Sequence, residues 1–411
     1  MRVVTERMEN VRSVALGFWI ATGSAMESEQ QAGLSHLLEH MLFRGTSSHR
    51  SEEIDQIFDA MGAEINAGTD RETTSLFTRV LDRHLERALG VMGEMVWQPR
   101  FEDLAAERKV VLEEIAMYED DPQDRVFDLL GEAVFGTHPL GRAVIGRAEV
   151  VGAIELKGLQ AFHAERYPPK SIVVAAAGSI DHDELAQMVA AASASSPTSE
   201  SIEADASTPS FERRVRFLQK DTEQYHVCLG GRGITRHDER RFALRVLEGV
   251  LGGTSSSRLF QEVREKRGLA YSVFSFSNLH ARTGEVGLYV GTRPDNLEEA
   301  IATIAGELER FVENPATEEE LVRSRENLKG RVVLSLESTA ARMNRLGSSV
   351  LSEMPILSVD EIIEKIDAVG LDDVGELAAE LFACEHLSVA GVGTDEATFS
   401  NALSPLGGAA S

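Results

Sequence analysis

Hydrophobic positions along the chain change period several times, and each change marks an element. Residues 12 to 22 hold a nearly continuous apolar run (Val14, Ala15, Leu16, Phe18, Trp19, Ile20), which fits a strand covered on both faces. With residues 2 to 8 it reads as a strand pair joined at Glu9-Asn10. Helical spacing follows from about 30 to 43 and near 51 to 61, then an extended pair at 63 to 69 and 73 to 80. Helices near 82 to 97, 101 to 120, 124 to 134 and 152 to 165 come next. A strand at Ile172 to Ala177 and a helix from Asp183 close the first half.

Residues 193 to 210 break the pattern, being poor in apolar side chains and rich in Ser, Pro and acid, a linker composition. Beyond them the order of elements repeats. Strands near 212 to 220 and 224 to 231 precede helices at 238 to 251 and 256 to 266. An extended pair at 270 to 279 and 284 to 291 and helices at 295 to 313 and 317 to 335 then match the order around Met61 to Tyr118. In this repeat Leu104-Ala105-Ala106-Glu107 falls opposite Leu321-Val322-Arg323-Ser324. The expectation is an α+β protein of two homologous domains, 1–195 and 212–411, joined by a linker at 196–211. Each is expected to be a mostly antiparallel sheet covered by helices.

Length agrees, since 411 residues exceed one core's usual size. A net charge of −26 argues against nucleic acid or an anionic membrane as partner and favours basic ligands. Cys228 and Cys384 are the only cysteines, so neither a disulfide framework nor a thiolate metal site is expected, and the compartment is expected to be reducing. No window is long and uncharged enough to span a membrane, and the N-terminus shows no secretory signal. The chain is therefore expected to be cytoplasmic or to have lost a leader. Because it opens almost inside a strand, a few upstream residues are expected to be missing.

The chemistry concentrates in Gly33-Leu34-Ser35-His36-Leu37-Leu38-Glu39-His40-Met41-Leu42-Phe43-Arg44-Gly45. Two histidines four apart on a helix present one nitrogen each to a single metal ion. Glu39 shares their face, within reach of a water there, as a general base must be. The string H-x-x-E-H is the zinc-protease H-E-x-x-H in reverse order. A single histidine among apolar neighbours is usually ordinary core, but two with a carboxylate between them would cost several kcal/mol to bury without a partner.

A catalytic zinc site takes three protein ligands and leaves a position for water. In the helix after Asp103, the residues Leu104, Glu107, Val111, Glu114 and Tyr118 recur at steps of three and four, so Glu107 and Glu114 lie in the inward stripe. Glu113 sits at ion-pair spacing from Lys109 and reads as solvated surface. Glu114 is assigned as third ligand to one Zn2+ per chain, and Glu107 as a carboxylate that orients a histidine.

These residues resemble the inverzincin group of metallopeptidases, which includes pitrilysin, insulin-degrading enzyme and the mitochondrial processing peptidases, and most closely its short bacterial members. The family's glutamate ligand, some seventy-odd residues after H-x-x-E-H and with another glutamate seven before it, matches Glu114, 74 residues after His40, and Glu107. Ala63-Glu64-Ile65-Asn66-Ala67-Gly68-Thr69 resembles the family's substrate-pairing edge strand, which implies that Asn66 and Ala67 bind substrate. Gly136-Thr137-His138-Pro139-Leu140-Gly141 also matches, with His138 read as structural. Ser257 to Tyr271 resembles the segment whose arginine and tyrosine, seven apart, reach substrate, which implies roles for Arg264 and Tyr271. Read from the residues alone, Arg264 is equally an exposed helix cation and Tyr271 equally core.

The resemblance implies a zinc endopeptidase acting on short or unfolded peptides held extended in a closed chamber, with Glu39 and Tyr271 catalytic. It further implies that the domains form half of a clamshell and that a homodimer completes each site in trans. The alternatives are a non-catalytic scaffold or partner subunit, as in family members that have lost the motif, and a metal binder without turnover. The intact motif opposes the first, and Glu39, which a mere binder does not need, opposes the second.

Overall fold

The computed structural model describes residues 1–196 and 208–407. Most of the linker expected at 196–211 lies outside the described residues. The chain forms two compact units, and each takes residues from both halves of the sequence. The first holds Met1–Ala116, the described part of Arg142–Ala206, and Leu334–Ile356. The second holds Met117–Gly141 and the described parts of Ser207–Val333 and Leu357–Ser411.

In the first unit, β1 (Arg2–Arg7), β2 (Ser13–Ile20), β3 (Ile65–Thr69), β4 (Thr74–Leu81) and β5 (Ile172–Gly178) form one sheet in the order β1-β5-β2-β4-β3. Its pairings are antiparallel except β1–β5, which is parallel. The hairpin expected across Glu9-Asn10 is therefore corrected, because β5 lies between β1 and β2. The reason is burial: β2 and β5 are nearly or wholly buried and pair in the centre, while β1, with Arg2, Thr5, Glu6 and Arg7, stays at a half-exposed edge.

Alternation along β2 sends Val14, Leu16, Phe18 and Ile20 into a core shared with Leu34, Leu37 and Leu38, Ile54 and Phe58, and Leu89 and Met92. The opposite face mixes small residues with Trp19 and Phe77. Ala15, Ala175 and Ala177 pack against Met343 and Leu346 of the helix Thr339–Leu351. A Cβ added at Gly17 would lie 2.6 Å from Met343 Sδ, and one at Gly347 would lie 2.0 Å from Trp19 Nε1, so the small side chains set how closely this helix approaches.

The second unit repeats the topology. Strands β6 (Val215–Gln219), β7 (Tyr225–Gly233), β8 (Ala270–Leu279), β9 (Gly284–Thr292) and β10 (Ser388–Gly393) run in the order β6-β10-β7-β9-β8, again with one parallel edge pair. The helix Pro122–Phe135 covers its outer face. Asp121 caps that helix through the amides of Gln123 and Asp124, with Pro122 in its first turn. Phe127 stacks on Tyr289 with ring centroids 5.7 Å apart, and a Cβ at Gly230 would meet Leu130 Cδ2 at 2.9 Å. The helix expected at 256–266 is a π-helix over Phe260–Glu265, with the Lys266 amide donating to the Gln261 carbonyl. Among the described residues no helix is long and apolar enough to cross a membrane, and both cysteines are free.

Candidate metal centre

The helix Leu34–Met41 begins at Gly33, whose φ of 96° is a left-handed conformation that a side chain would oppose. Leu34, Leu37, Leu38 and Met41 are buried and anchor the helix in the first core, each contributing about 1.5–3 kcal/mol of apolar burial. Anchoring that stripe turns His36, Glu39 and His40 to the half-buried side.

The helix Leu104–Asp120 brings Glu114 to both rings. Glu114 Oε2 lies 3.7 Å from His36 Nε2 and 3.4 Å from His40 Nε2. Among the described residues these form the one group of three His, Cys, Asp or Glu side chains whose donor atoms all come within 4.8 Å. A tetrahedral zinc ion with bonds of about 2.0–2.1 Å separates its ligand atoms by about 3.3–3.4 Å, so the spacing found fits one ion. The donor set fits as well. Burial, aided by the His40 charge, pushes His36 down to about 4 and leaves it a neutral imidazole with a free lone pair. His36 Nδ1 is buried without a hydrogen-bond partner.

The surroundings hold these groups in place. His40 Nδ1 lies 2.8 Å from Glu107 Oε1, which fixes the ring with Nε2 toward Glu114. Glu107 is 4% exposed, and the Arg44 guanidinium pairs with its other oxygen. Glu39 Oε2 accepts the Thr69 hydroxyl at 2.6 Å. Burial raises the Glu39 carboxyl above the ordinary carboxylate range, opposed by the Thr69 bond and His40 and reinforced by Glu114. That is the direction a general base working near neutrality requires. Glu113 is exposed on the far side of its helix.

Thr69 ends β3, an edge strand whose partner is β4. Asn66 and Ala67 lie on that strand, and the Ala67 amide donates to Asn66 Oδ1 at 2.8 Å. Arg264 and Tyr271 belong to the second unit, where they meet each other. The guanidinium lies 4.3 Å from the Tyr271 ring centroid and 4.7 Å from that of Phe260, and donates to the Tyr271 carbonyl at 3.2 Å. Tyr271 is 77% exposed. His138 accepts the Leu140 amide through Nδ1 at 3.2 Å, a local turn contact. The sequence reading gave no role to Arg44 or Thr69. Arg44 had a signal, standing four after His40, because a carboxylate as deep as Glu107 needs a cation. Thr69 had none, since its contact with Glu39 depends on strand placement.

Residues 2–148 match the family profile described as Insulinase (Peptidase family M16), and residues 153–328 match the Peptidase M16 inactive domain. An uncharacterized zinc protease of Streptomyces coelicolor is 41% identical over 93% of this chain and 85% of its own. The uncharacterized zinc protease YmxG of Bacillus subtilis is 39% identical over 94% of each. In fold, the chain is similar to a crystal structure of a peptidase M16 inactive domain from Pseudomonas fluorescens, with TM-score 0.89, 24% identity and coverage of 96% and 95%. This chain belongs to the M16 (insulinase) family, whose relatives here are named zinc proteases.

Proposed function

We propose that this chain is a zinc-dependent endopeptidase that cleaves short or unfolded peptides held in extended form. The observation that carries the reading is the convergence of His36 Nε2, His40 Nε2 and Glu114 Oε2, with the Glu39 carboxylate beside them on the same helix face. His36, His40 and Glu114 would hold the ion. When bound, zinc supplies Lewis acidity, lowering the pKa of a coordinated water toward about 7 and polarising a carbonyl. Glu39, its carboxylate oriented by Thr69, takes the proton from the attacking water and later hands it to the leaving amine. Glu107 keeps His40 in one tautomer and orientation throughout.

The free edge of β3 supports main-chain pairing with an extended peptide, through Asn66 and Ala67, with little demand on side-chain identity. Tyr271 donates to the developing oxyanion and Arg264 grips a substrate carbonyl or carboxylate. A homodimer supplies these two residues from the second copy, closing a chamber over each zinc. The charge of −26 favours basic peptides, so raising salt should weaken their binding more than that of neutral ones.

The deciding experiment is Glu39→Gln, with zinc content and peptide turnover measured together. Zinc near one per chain with turnover lowered about 10²- to 10⁴-fold is the expected result. Loss of zinc along with activity would make Glu39 a ligand and defeat the assignment. For assembly, Glu39→Gln mixed with Tyr271→Phe should recover about a quarter of wild-type activity at random exchange, since about half the dimers are mixed and each holds one intact site. No recovery despite exchange shown by mass would place Tyr271 in cis or outside the mechanism.

A further inference from the structure

Glu27 lies nine residues before His36 and is 4% exposed. Its Oε2 accepts the Gly33 amide at 2.9 Å and its Oε1 accepts the Ser35 amide at 2.6 Å. Both donors sit at the start of the motif helix, where N–H groups have no acceptor within the helix. The Ser35 amide adjoins His36 directly.

The turn that carries Glu27 is itself fastened. The Arg142 guanidinium donates to the carbonyls of Ser24 and Glu27 and to Glu29 Oε1, and Arg147 donates to Glu29 Oε2 at 2.8 Å. Arg142 directly follows the Gly136–Gly141 stretch singled out in the sequence, which the proposed chemistry does not use. Gly33 closes the arrangement, because a Cβ there would meet Val151 Cγ2 at 2.7 Å and the Ile145 carbonyl at 2.8 Å.

A helix start needs no buried carboxylate, since a serine or aspartate at the cap serves at the surface. Burial also works against this one, pushing the Glu27 carboxyl up to about 7 despite the pull of the Ser35 and Gly33 amides and of Arg142. What the arrangement provides is position. The helix is eight residues long, too short to hold its own geometry, and three of those residues carry the chemistry.

We propose that Glu27 is a positioning residue, whose bonds to the Gly33 and Ser35 amides set the rotation and axial placement of the helix that presents His36, Glu39 and His40. The proposal rests on the metal-centre reading above. Replacing Glu27 should disturb the centre more than the fold.

The test uses the full chain with Glu27→Gln, which keeps one acceptor oxygen of the two, and Glu27→Ala, which keeps none. Zinc dissociation constants are read by chelator competition, thermal midpoints on zinc-free protein at pH 8, and kcat and KM on zinc-saturated enzyme. Expected for Glu27→Gln are a roughly 10-fold weaker zinc affinity, a kcat lowered about 10-fold with KM within about twofold, and no drop in thermal midpoint. Glu27→Ala should lie toward 100-fold in zinc affinity. Zinc affinity and kcat within twofold of wild type in both variants would overturn the proposal, as would a fallen midpoint with zinc affinity unchanged. Should the variants not fold, amide hydrogen exchange on zinc-free wild type decides: slow exchange at Gly33 and Ser35 supports the proposal, and exchange as fast as in an exposed loop defeats it. A wild-type chain that binds no zinc would defeat the metal-centre reading instead, an outcome distinct from wild type and variants binding zinc equally well.

Discussion

The two units share one strand order, yet among the described residues one gathers three side chains that could hold a metal ion and the other, at the same places, does not. In the repeat, Ser324 stands opposite Glu107. Packed against Ser324, where His40 meets Glu107, is Gly249, and a Cβ there would lie 2.2 Å from Ser324 Oγ. Arg245, Glu248 and Gly249 thus repeat the spacing of His36, Glu39 and His40. Glu248 keeps the carboxylate but binds Arg245 at 3.2 Å, and Ser324 donates to the Val246 carbonyl at 2.7 Å. The edge strands differ in the same sense. Thr69 on β3 holds the Glu39 carboxylate, whereas Ser275 on β8 bonds the main-chain carbonyl of Glu248 at 3.3 Å. The frame tolerates either filling. A ring and its carboxylate need the helices far enough apart, and the second unit has closed that space with glycine and serine.

The sharpest break of this comparison pairs Glu39→Gln with Glu248→Gln. The first should cost about 10²- to 10⁴-fold in turnover with zinc retained, while the second should leave turnover within about twofold. Comparable losses in peptide-cleavage assays would mean that the second unit's carboxylate is also used.

Zinc affinity sharpens the ligand assignment. Glu114→Gln should weaken it most, Glu107→Gln about 10- to 100-fold, and Glu113→Gln should leave it unchanged. Equal losses for Glu113 and Glu114 in metal titrations would show that the helix face is misread.

A third measurement concerns the buried acid of the first unit. The folded state raises Glu27 from 4.5 to about 7, so its contribution to stability is complete below about pH 4.5 and is lost as pH rises through 7. Glu27→Gln removes this dependence. Denaturant unfolding of zinc-free protein should therefore shift in the variant's favour between pH 5 and pH 8, by at most on the order of 3 kcal/mol. Parallel stability curves for the two proteins would contradict it.

The smallest effect tests the closed space. Gly249→Ala should destabilise the chain by about 1–3 kcal/mol through overpacking against Ser324, and adding Ser324→Ala should recover part of that loss. A neutral Gly249→Ala in unfolding experiments would mean the helices can part at little cost.

Much of this centre is local in origin. Periods of three and four place His36, Glu39 and His40 on one face and separate Glu107 and Glu114 from Glu113, because the helix itself sets which side chains are neighbours. The repeated order of elements was equally readable, since each copy buries one sheet face with the same succession of strands and helices. Pairing across distance was not readable. Nothing in Arg2–Arg7 says that β5, some 170 residues on, is its neighbour and β2 is not. The pattern assigned no element beyond 335, yet Ser388–Gly393 is an interior strand, short and glycine-containing and so without a clear period.

By itself, then, the sequence determined which residues share a helix or strand face, because that depends on backbone geometry over a few residues. Tertiary structure alone decided which faces meet. The apolar stripes of Pro122–Phe135 and Thr339–Leu351 carry no mark of which sheet they cover, and close packing placed the earlier helix on the later sheet and the later helix on the earlier one. The same holds at the centre, where Thr69 meets Glu39, Arg44 meets Glu107, and Glu27 meets the Gly33 and Ser35 amides. Each contact satisfies a buried or half-buried carboxylate, a need the sequence announces without naming the group that meets it.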